Sequence, residues 1–321
     1  MGDNGATMWP LDSAGGYEVV SETDRRGGPL RTVICMDTGL VRNDPVPDDA
    51  ELARFYAEDY RIRYKGARRP RRRQVLRNFR RAAAYLRKYR DVLDPAARML
   101  DVGAGSGEFA FLMTRLGKTV TGIEPNVDYA AHCRDALGLD VRTAHLAREL
   151  FPPGRFDLIR MNHVLEHLND PVRYLGEVAG WLAPDGLLYV EVPNIEAECR
   201  ARSRGRIFHY AHIFNFNPWT LRACAGLAGL AEAPQTARRS AGTTGVFFRR
   251  DAAAAGSAEI ENPENARIVR RLIRAHYEGA FGEGKAARPI RKLGARIEES
   301  LTGLVLGAPS AIGESVARRL R

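Results

Sequence analysis

The chain has 321 residues, 45% of them hydrophobic and 27% charged. That balance excludes a disordered or collagen-like chain and leaves room for a sizeable core. Lys and Arg total 49 against 39 Asp and Glu, a formal charge of +10, and its distribution matters more than its sum. Residues 54–90 hold fifteen basic and two acidic side chains, a local charge of +13 that leaves the rest at −3. One segment makes the protein basic.

Residues 1–46 are rich in Gly, Asp and Thr, with β-like runs at Tyr17–Val20 and Arg31–Cys35. The opening residues lack a basic region followed by an apolar one, so no signal peptide is read there. No run approaches the ~20 apolar residues of a membrane span. Cys35, Cys133, Cys199 and Cys224 are widely spaced without a C-x-x-C pair. They read as reduced, mostly buried thiols of a cytoplasmic protein.

Residues 47–94 form a helical, strongly basic lead-in. Asp48 and Asp49 predict the cap and first turn of a helix reaching about Tyr60. Beyond Pro70, Val75, Leu76, Phe79, Ala83 and Leu86 recur at helical spacing while arginines fill the other positions. Three readings of this cationic face stand open, in order: a solvated surface, recruitment of an anionic small molecule or membrane surface, and docking of RNA or DNA.

Over residues 95–250, short apolar runs alternate with helical patterns. Strands are predicted at 98–102, 119–123, 141–143, 156–161 and 187–192, with helices such as 127–137 and 171–182 between them. Gly245–Phe248 is a further strand that closes the sheet. The alternation predicts an α/β fold, a Rossmann-like, doubly wound, mostly parallel sheet with helices on both faces. Residues 251–321 read as a helical C-terminal appendage.

The most informative stretch is Met99-Leu100-Asp101-Val102-Gly103-Ala104-Gly105-Ser106-Gly107-Glu108-Phe109. An apolar strand enters three glycines at alternate positions and then a helix. Glycine suits backbone that takes positive φ or approaches a ligand, and a helix start aims amides at polar groups. Glu124 follows the next strand, where a carboxylate can accept both hydroxyls of a ribose.

This G-x-G-x-G turn with an acid two residues before it resembles motif I of the class I S-adenosylmethionine-dependent methyltransferases, rather than the G-x-G-x-x-G of dinucleotide binders. Phe156-Asp157 through Val164-Leu165-Glu166-His167 resembles the fourth strand and following turn of the small-molecule members. Leu182-Ala183-Pro184-Asp185-Gly186 is similar to their turn before strand five, and His212 through Leu221 to a later helix start. The resemblance covers about residues 50–250. It implies S-adenosylmethionine as cofactor, with Asp101 orienting the loop and the cofactor's amino group. It implies Gly103, Ala104, Gly105 and Gly107 as the backbone cradle, Glu124 at the ribose, and Asn126 and Asn162 at the edges.

Trp9-Pro10-Leu11-Asp12 and Cys35-Met36-Asp37-Thr38-Gly39-Leu40 resemble the zinc knuckle, C-P-x-C … C-x-x-C-G-L, that opens some of these enzymes. Three of its four metal positions are here Trp9, Asp12 and Thr38. Structural zinc needs its full ligand set, so the segment is expected to hold no zinc and to be held by packing.

His163, Glu166, His167 and His212 are the candidate catalytic side chains. Histidine titrates near neutrality and suits a general base. The alternatives are that Glu166 and His167 brace their turn, or that the group ligates a metal; no metal is assigned. An Asn/Asp-Pro-Pro-Tyr-like turn, usual in enzymes that methylate nucleobase amines, is replaced by Met161-Asn162-His163-Val164. The expectation is methyl transfer to O or C of a small or carrier-linked metabolite, with a sugar or other anionic acceptor as the candidate class. The alternatives are an RNA methyltransferase docking through residues 54–90, or a cofactor-binding partner without catalysis. The oligomeric state is left open.

Overall fold

A computed structural model describes residues 15–55, 70, 72–233, 242–257, 260–281 and 307–320. Trp9, Asp12 and the segment 56–69 lie outside the described residues.

Two sheets organise the molecule. The small one is antiparallel. It joins β1 (Tyr17–Thr23), β2 (Pro29–Cys35), β3 (Val41–Asn43) and, from far along the chain, β9 (Phe214–Asn215). The large one has seven strands. In chain order they are β4 (Arg98–Val102), β5 (Thr119–Ile123), β6 (Asp140–Arg142), β7 (Phe156–Asn162), β8 (Leu182–Pro193), β10 (Leu230–Glu232) and β11 (Thr243–Arg250). They lie side by side as β10-β11-β8-β7-β4-β5-β6.

The pairs β4–β5, β4–β7, β5–β6 and β7–β8 are parallel. The short strand expected at Gly245–Phe248 is longer and runs antiparallel between β8 and β10, so it does not sit at the sheet edge. Strand β10 carries too few residues for a period to show. β8 begins five residues before the predicted strand. Its pairing with β7 is irregular between Phe156 and Leu158, which accommodates the Pro184-Asp185-Gly186 turn residues.

The chain winds from β4 outward to β6 and then returns to β7 on the other side of β4. This reversal opens a crevice at the carboxyl ends of β4, β5 and β7. Between strands lie α4 (Glu108–Arg115), α5 (Val127–Leu137), α6 (Pro171–Gly180), α7 (Ile195–Ala201) and α8 (Pro218–Leu227). Their starts follow capping chemistry. Asn126, Asp170, Asn194 and Asn217 each accept a backbone N–H of their helix's first turn.

Before the large sheet come α1 (Asp49–Arg54) and α2 (Arg72–Lys88), with the short α3 (Arg90–Leu93) after them. The capping box expected at Asp48 is present, closed by Glu51. On α2 the apolar stripe is buried as its spacing requires: Val75, Leu76, Phe79, Ala83 and Leu86 all face the core. Tyr85 and Tyr89 extend that stripe into an aromatic cluster with Tyr189 and Phe247, which fastens α2 to β8 and β11.

The C-terminal helices are α9 (Ala252–Ser257), α10 (Pro263–Glu278) and α11 (Pro309–Ala317). They divide between the two sheets. α10 packs on α7 and the small sheet, while α11 packs on α2 and α4. Gly313 of α11 is where Phe79 and Phe111 approach. A Cβ there would stand 2.5 Å from the Phe111 ring, so only glycine admits the contact.

Phe79 meets Phe111 edge-on, with centroids 5.4 Å apart, and has no exposed surface. Phe79→Ala is expected to cost about 3–5 kcal/mol in urea denaturation. Arg87→Ala, on the exposed side of the same helix, should stay within about 0.5 kcal/mol.

Candidate functional site

The crevice is a cleft of about 1330 Å³. Its floor is the loop from β4 to α4. Gly103, Gly105 and Gly107 have φ of +67°, +57° and +82°. At Gly103 a Cβ would come within 2.5 Å of the Val164 side chain, and at Gly107 within 3 Å of Leu139 and Cys133. Conformation and space both demand glycine there.

Glu124 clamps this loop. One carboxylate oxygen accepts the Gly105 N–H at 2.8 Å, and the other accepts the Asn126 N–H at 2.9 Å. The Ala104 N–H donates to the Ile123 carbonyl at 3.0 Å. The loop is therefore preformed against the end of β5. Asn126 spends its side-chain oxygen on capping α5, donated by Tyr129 N–H at 3.1 Å. Asn162, the last residue of β7, lines the cleft, as do Asp101, Gly103, Ala104, Gly105, Glu124 and Asn126. Gly107 stands behind the loop as the entry to α4.

Three features of this floor were not read from the sequence. The first is Arg160. It sits beside Asp101 on neighbouring strands and donates to it at 2.8 Å. Asp101 has no exposed surface; its other oxygen has no hydrogen-bond partner. Burial raises the Asp101 carboxyl above its usual range, against the opposing charge and hydrogen bond of Arg160. The guanidinium also lies over Phe109, 4.7 Å from the ring centre, and over Tyr85. An arginine inside a hydrophobic strand reads as an outward residue until its cross-strand partner is known.

The second feature ties α2 to the loop. Asn78 donates to Ser106 at 3.3 Å and to Glu108 at 3.1 Å, and Ser106 donates to Glu108 at 2.6 Å. Burial raises the Glu108 carboxyl, which Ser106 and Asn78 partly offset. The third is that Arg77, Arg81 and Lys88 of α2 line the cleft. Part of the basic helix thus borders the site.

The expected catalytic side chains meet at the turn after β7, of which His163 and His167 line the cleft. Glu166 is buried in a short 3-10 turn, Leu165–His167. His163 Nδ1 lies 3.2 Å from Glu166 Oε1, and the Nε2 atoms of His167 and His212 lie 3.9 and 4.0 Å from the same oxygen. The turn is not α-helical. His163 has φ +56°, the sole positive φ at a non-glycine among the described residues, and its N–H donates to the Glu191 carbonyl at 2.8 Å. His212 arrives from a distant loop, its ring 5.0 Å from that of His167.

Hydrogen-bond partners set the tautomers. His167 Nδ1 lies 2.5 Å from the Ala211 carbonyl, an acceptor only, so Nδ1 carries the proton and Nε2 the lone pair. His163 Nδ1 likewise faces a carboxylate. Burial disfavours its charge, but the hydrogen bond and charge of Glu166, with Glu191, raise its pKa above the ordinary histidine value. His212 is pushed well below that value by burial, then by His167 and His209. Glu166, His167 and His212 each place a ligand atom within 4.8 Å of the others, spacing that also suits a metal ion.

A family model described as a methyltransferase domain matches residues 68–232, just over half of the chain. With the β4 glycine loop and the strand order around it, this identifies the class: the chain belongs to the methyltransferase-domain family, of the class I S-adenosylmethionine-dependent type. The ubiquinone biosynthesis O-methyltransferase of Rhodopseudomonas palustris strain BisB5 is 35% identical over 102 residues, 30% of this chain and 40% of that one. That of Caulobacter sp. strain K31 is 38% identical over 104 residues, 30% and 41% of the two chains. The match thus spans about 40% of these relatives' length. Among solved structures, the 1,6-didemethyltoxoflavin-N1-methyltransferase of Burkholderia thailandensis, with S-adenosylhomocysteine bound, aligns at TM-score 0.47 and 21% identity. It covers 67% of this chain and 97% of that one.

Arg160→Met leaves the buried Asp101 carboxyl without its cation and is expected to cost about 3–5 kcal/mol of stability. Adding Asp101→Asn should recover part of that loss. Urea denaturation of the single and double variants measures both.

Proposed function

We propose that this protein transfers a methyl group from S-adenosylmethionine to an oxygen or acidic carbon of a small or carrier-linked, anionic metabolite in the cytoplasm. The observation that carries the reading is the convergence of His163, His167 and His212 on buried Glu166, at the wall of the cleft that the glycine loop floors.

The residues present fit the cofactor. Glu124, at the end of β5 on the cleft and holding the loop amides of Gly105 and Asn126, is the proposed partner of the ribose hydroxyls. The unpartnered Asp101 oxygen suits the amino group of the methionine moiety. The cleft exceeds the roughly 300–1,000 Å³ of ordinary ligand pockets, so it has room for an acceptor beside the cofactor. When bound, S-adenosylmethionine supplies a methyl group already activated on a sulfonium. The chain's own work is then to align the acceptor, exclude water and take up a proton.

His163 is the proposed base. Glu166 fixes its Nδ1 proton, its Nε2 keeps the lone pair, and its raised pKa strengthens it as a proton acceptor. Its positive φ is the strain of a residue held in place by its surroundings. His167 also lines the cleft, and burial with the neighbouring His167 and His209 disfavours the charged form of His212. Arg77, Arg81 and Lys88, which also line the cleft, support an anionic acceptor. The O-methyltransferase name of the relatives favours oxygen over carbon.

Labelled methyl transfer into a metabolite extract, with mass identification of the product, tests the reading. Cofactor binding without any labelled product would reassign the chain as a non-catalytic binder; a labelled RNA would reassign the acceptor. By titration calorimetry, Glu124→Ala should bind S-adenosylhomocysteine at least about tenfold more weakly, and equal binding overturns the ribose assignment.

His163→Gln should lower kcat/KM by about 10²–10⁴-fold. His163 accepts a proton only when neutral, and its pKa lies above the ordinary value near 6.5. Activity should therefore be full above that raised pKa and fall as pH drops through it. Glu166→Gln should move this acid limb to lower pH; an unmoved limb assigns the base elsewhere.

A further inference from the structure

Glu166, His167 and His212 each place one ligand atom within 4.8 Å of the other two. Among the described residues no other three His, Cys, Asp or Glu side chains gather in this way. We propose that they bind a divalent transition-metal ion of the zinc type, with His163 outside the ligand set.

The carboxylate comes first. Glu166 is 1% exposed, and burial of a carboxylate is costly unless a cation or several donors answer it. His163 Nδ1 reaches Oε1 at 3.2 Å, while Oε2 has no hydrogen-bond partner among the described residues. The Nε2 atoms of His167 and His212 lie 3.9 and 4.0 Å from Oε1, too far to hydrogen-bond it. Both distances are within about 1 Å of what a tetrahedral ion imposes, since metal bonds of ~2.0–2.2 Å set ligand atoms roughly 3.3 Å apart. A cation between them answers the buried carboxylate and both rings at once.

The histidines are held as ligands. His167 Nδ1 lies 2.5 Å from the Ala211 carbonyl oxygen. A carbonyl only accepts, so Nδ1 carries the proton and Nε2 is the ligating nitrogen of the neutral ring. Metal sites commonly fix a histidine in this way, through a carbonyl on its other nitrogen. The same contact places His212, the residue after Ala211. His212 N–H donates to the His209 carbonyl at 3.0 Å, and the Ile213 carbonyl accepts from Asn43 N–H at 2.9 Å. On the other side, His167 N–H donates to the Val164 carbonyl at 3.0 Å within the 3-10 turn. Ligands from two distant segments are thus positioned by backbone contacts before an ion arrives.

Donor chemistry selects the ion. Two imidazole nitrogens and one carboxylate oxygen suit zinc and its neighbours in the first transition row. Magnesium and calcium take sets made of oxygen. Three protein ligands leave a tetrahedral ion one further position for water or another oxygen. The ion ties the turn after β7, in the large sheet, to the segment entering β9, in the small one. A carboxylate has lone pairs for both the His163 N–H and an ion, so His163 keeps the role proposed for it. Ion binding does not rest on the methyltransferase reading.

Zinc alone, titrated into the full chain after EDTA treatment and removal of the chelator, tests the site. The wild type should bind one Zn²⁺ per chain with a dissociation constant below about 1 μM near neutral pH, and millimolar Mg²⁺ should not displace it. His167→Gln and His212→Gln should each weaken binding by at least about 100-fold. His145→Gln, which removes an exposed histidine at the cleft, should bind as the wild type does. Co²⁺ in place of zinc should give the intense visible absorption of tetrahedral coordination in the wild type and not in His212→Gln. Zinc at a hundredfold excess over its dissociation constant should raise the wild-type Tm by about 3 °C or more and leave that of His212→Gln unchanged. The wild-type cobalt spectrum tests the site even where a variant fails to fold. No zinc binding by the wild type, undiminished binding by both ligand variants, or loss in His145→Gln alone overturns the proposal. S-adenosylhomocysteine binding, measured on the same samples, reports on the methyltransferase reading separately: its failure leaves zinc binding standing, and the reverse.

Discussion

The ion pair between Asp101 and Arg160 sets the terms for the rest of the site. The two residues sit in register on neighbouring parallel strands, where the sheet reverses direction and water is scarce. A carboxylate in that position is costly unless a cation answers it. Arg160 does so, and the hydrocarbon and ring faces of Tyr85 and Phe109 then cover the arginine. Tyr85 brings α2 over the crevice, and Phe109 opens α4. The pair thereby ties α2 to α4, the helix into which the glycine loop feeds. The second oxygen of Asp101 is buried without a hydrogen-bond partner among the described residues.

The glycine loop shows how far local sequence reaches. Its three positive φ values and its feed into a helix were legible because backbone conformation dictates residue type at that spacing. The role of Glu124 was legible in part. Its place after β5 suggested a ribose contact, but its grip on Gly105 and Asn126 depends on how far apart β4 and β5 stand. The parallel sheet followed from alternation of strands and helices. Strand β10 did not, because three residues carry no period. β9 did not either, since it pairs with β3, more than 170 residues away.

The cluster of His163, Glu166, His167 and His212 was half legible for the same reason. His163, Glu166 and His167 are neighbours in sequence, and their proximity needed no fold to foresee. The structure sets them on a 3-10 turn entered through a left-handed His163. That backbone turn swings the His163 ring back onto Glu166 while the next residues bury the carboxylate. His212 joins only because the small sheet recruits β9, two residues after it, and so pulls the aromatic segment against the turn. The N-terminal sheet therefore helps to position a residue it does not contain.

Net charge carries a related lesson. The +13 segment drew attention as a run, and a run is what composition detects. Its helix proves two-sided, with an apolar stripe in the core and Arg77, Arg81 and Lys88 at the cleft edge. Four arginines around a second hollow form no such run. They stand at positions 25, 26, 202 and 206, in a remainder whose net charge is slightly negative. Only the fastening of the β1–β2 turn to Phe208 brings them to one hollow. Coulomb interactions depend on distance in space, at roughly 332/(εr) kcal/mol between unit charges. Like charges can therefore be brought together from residues no composition window would group.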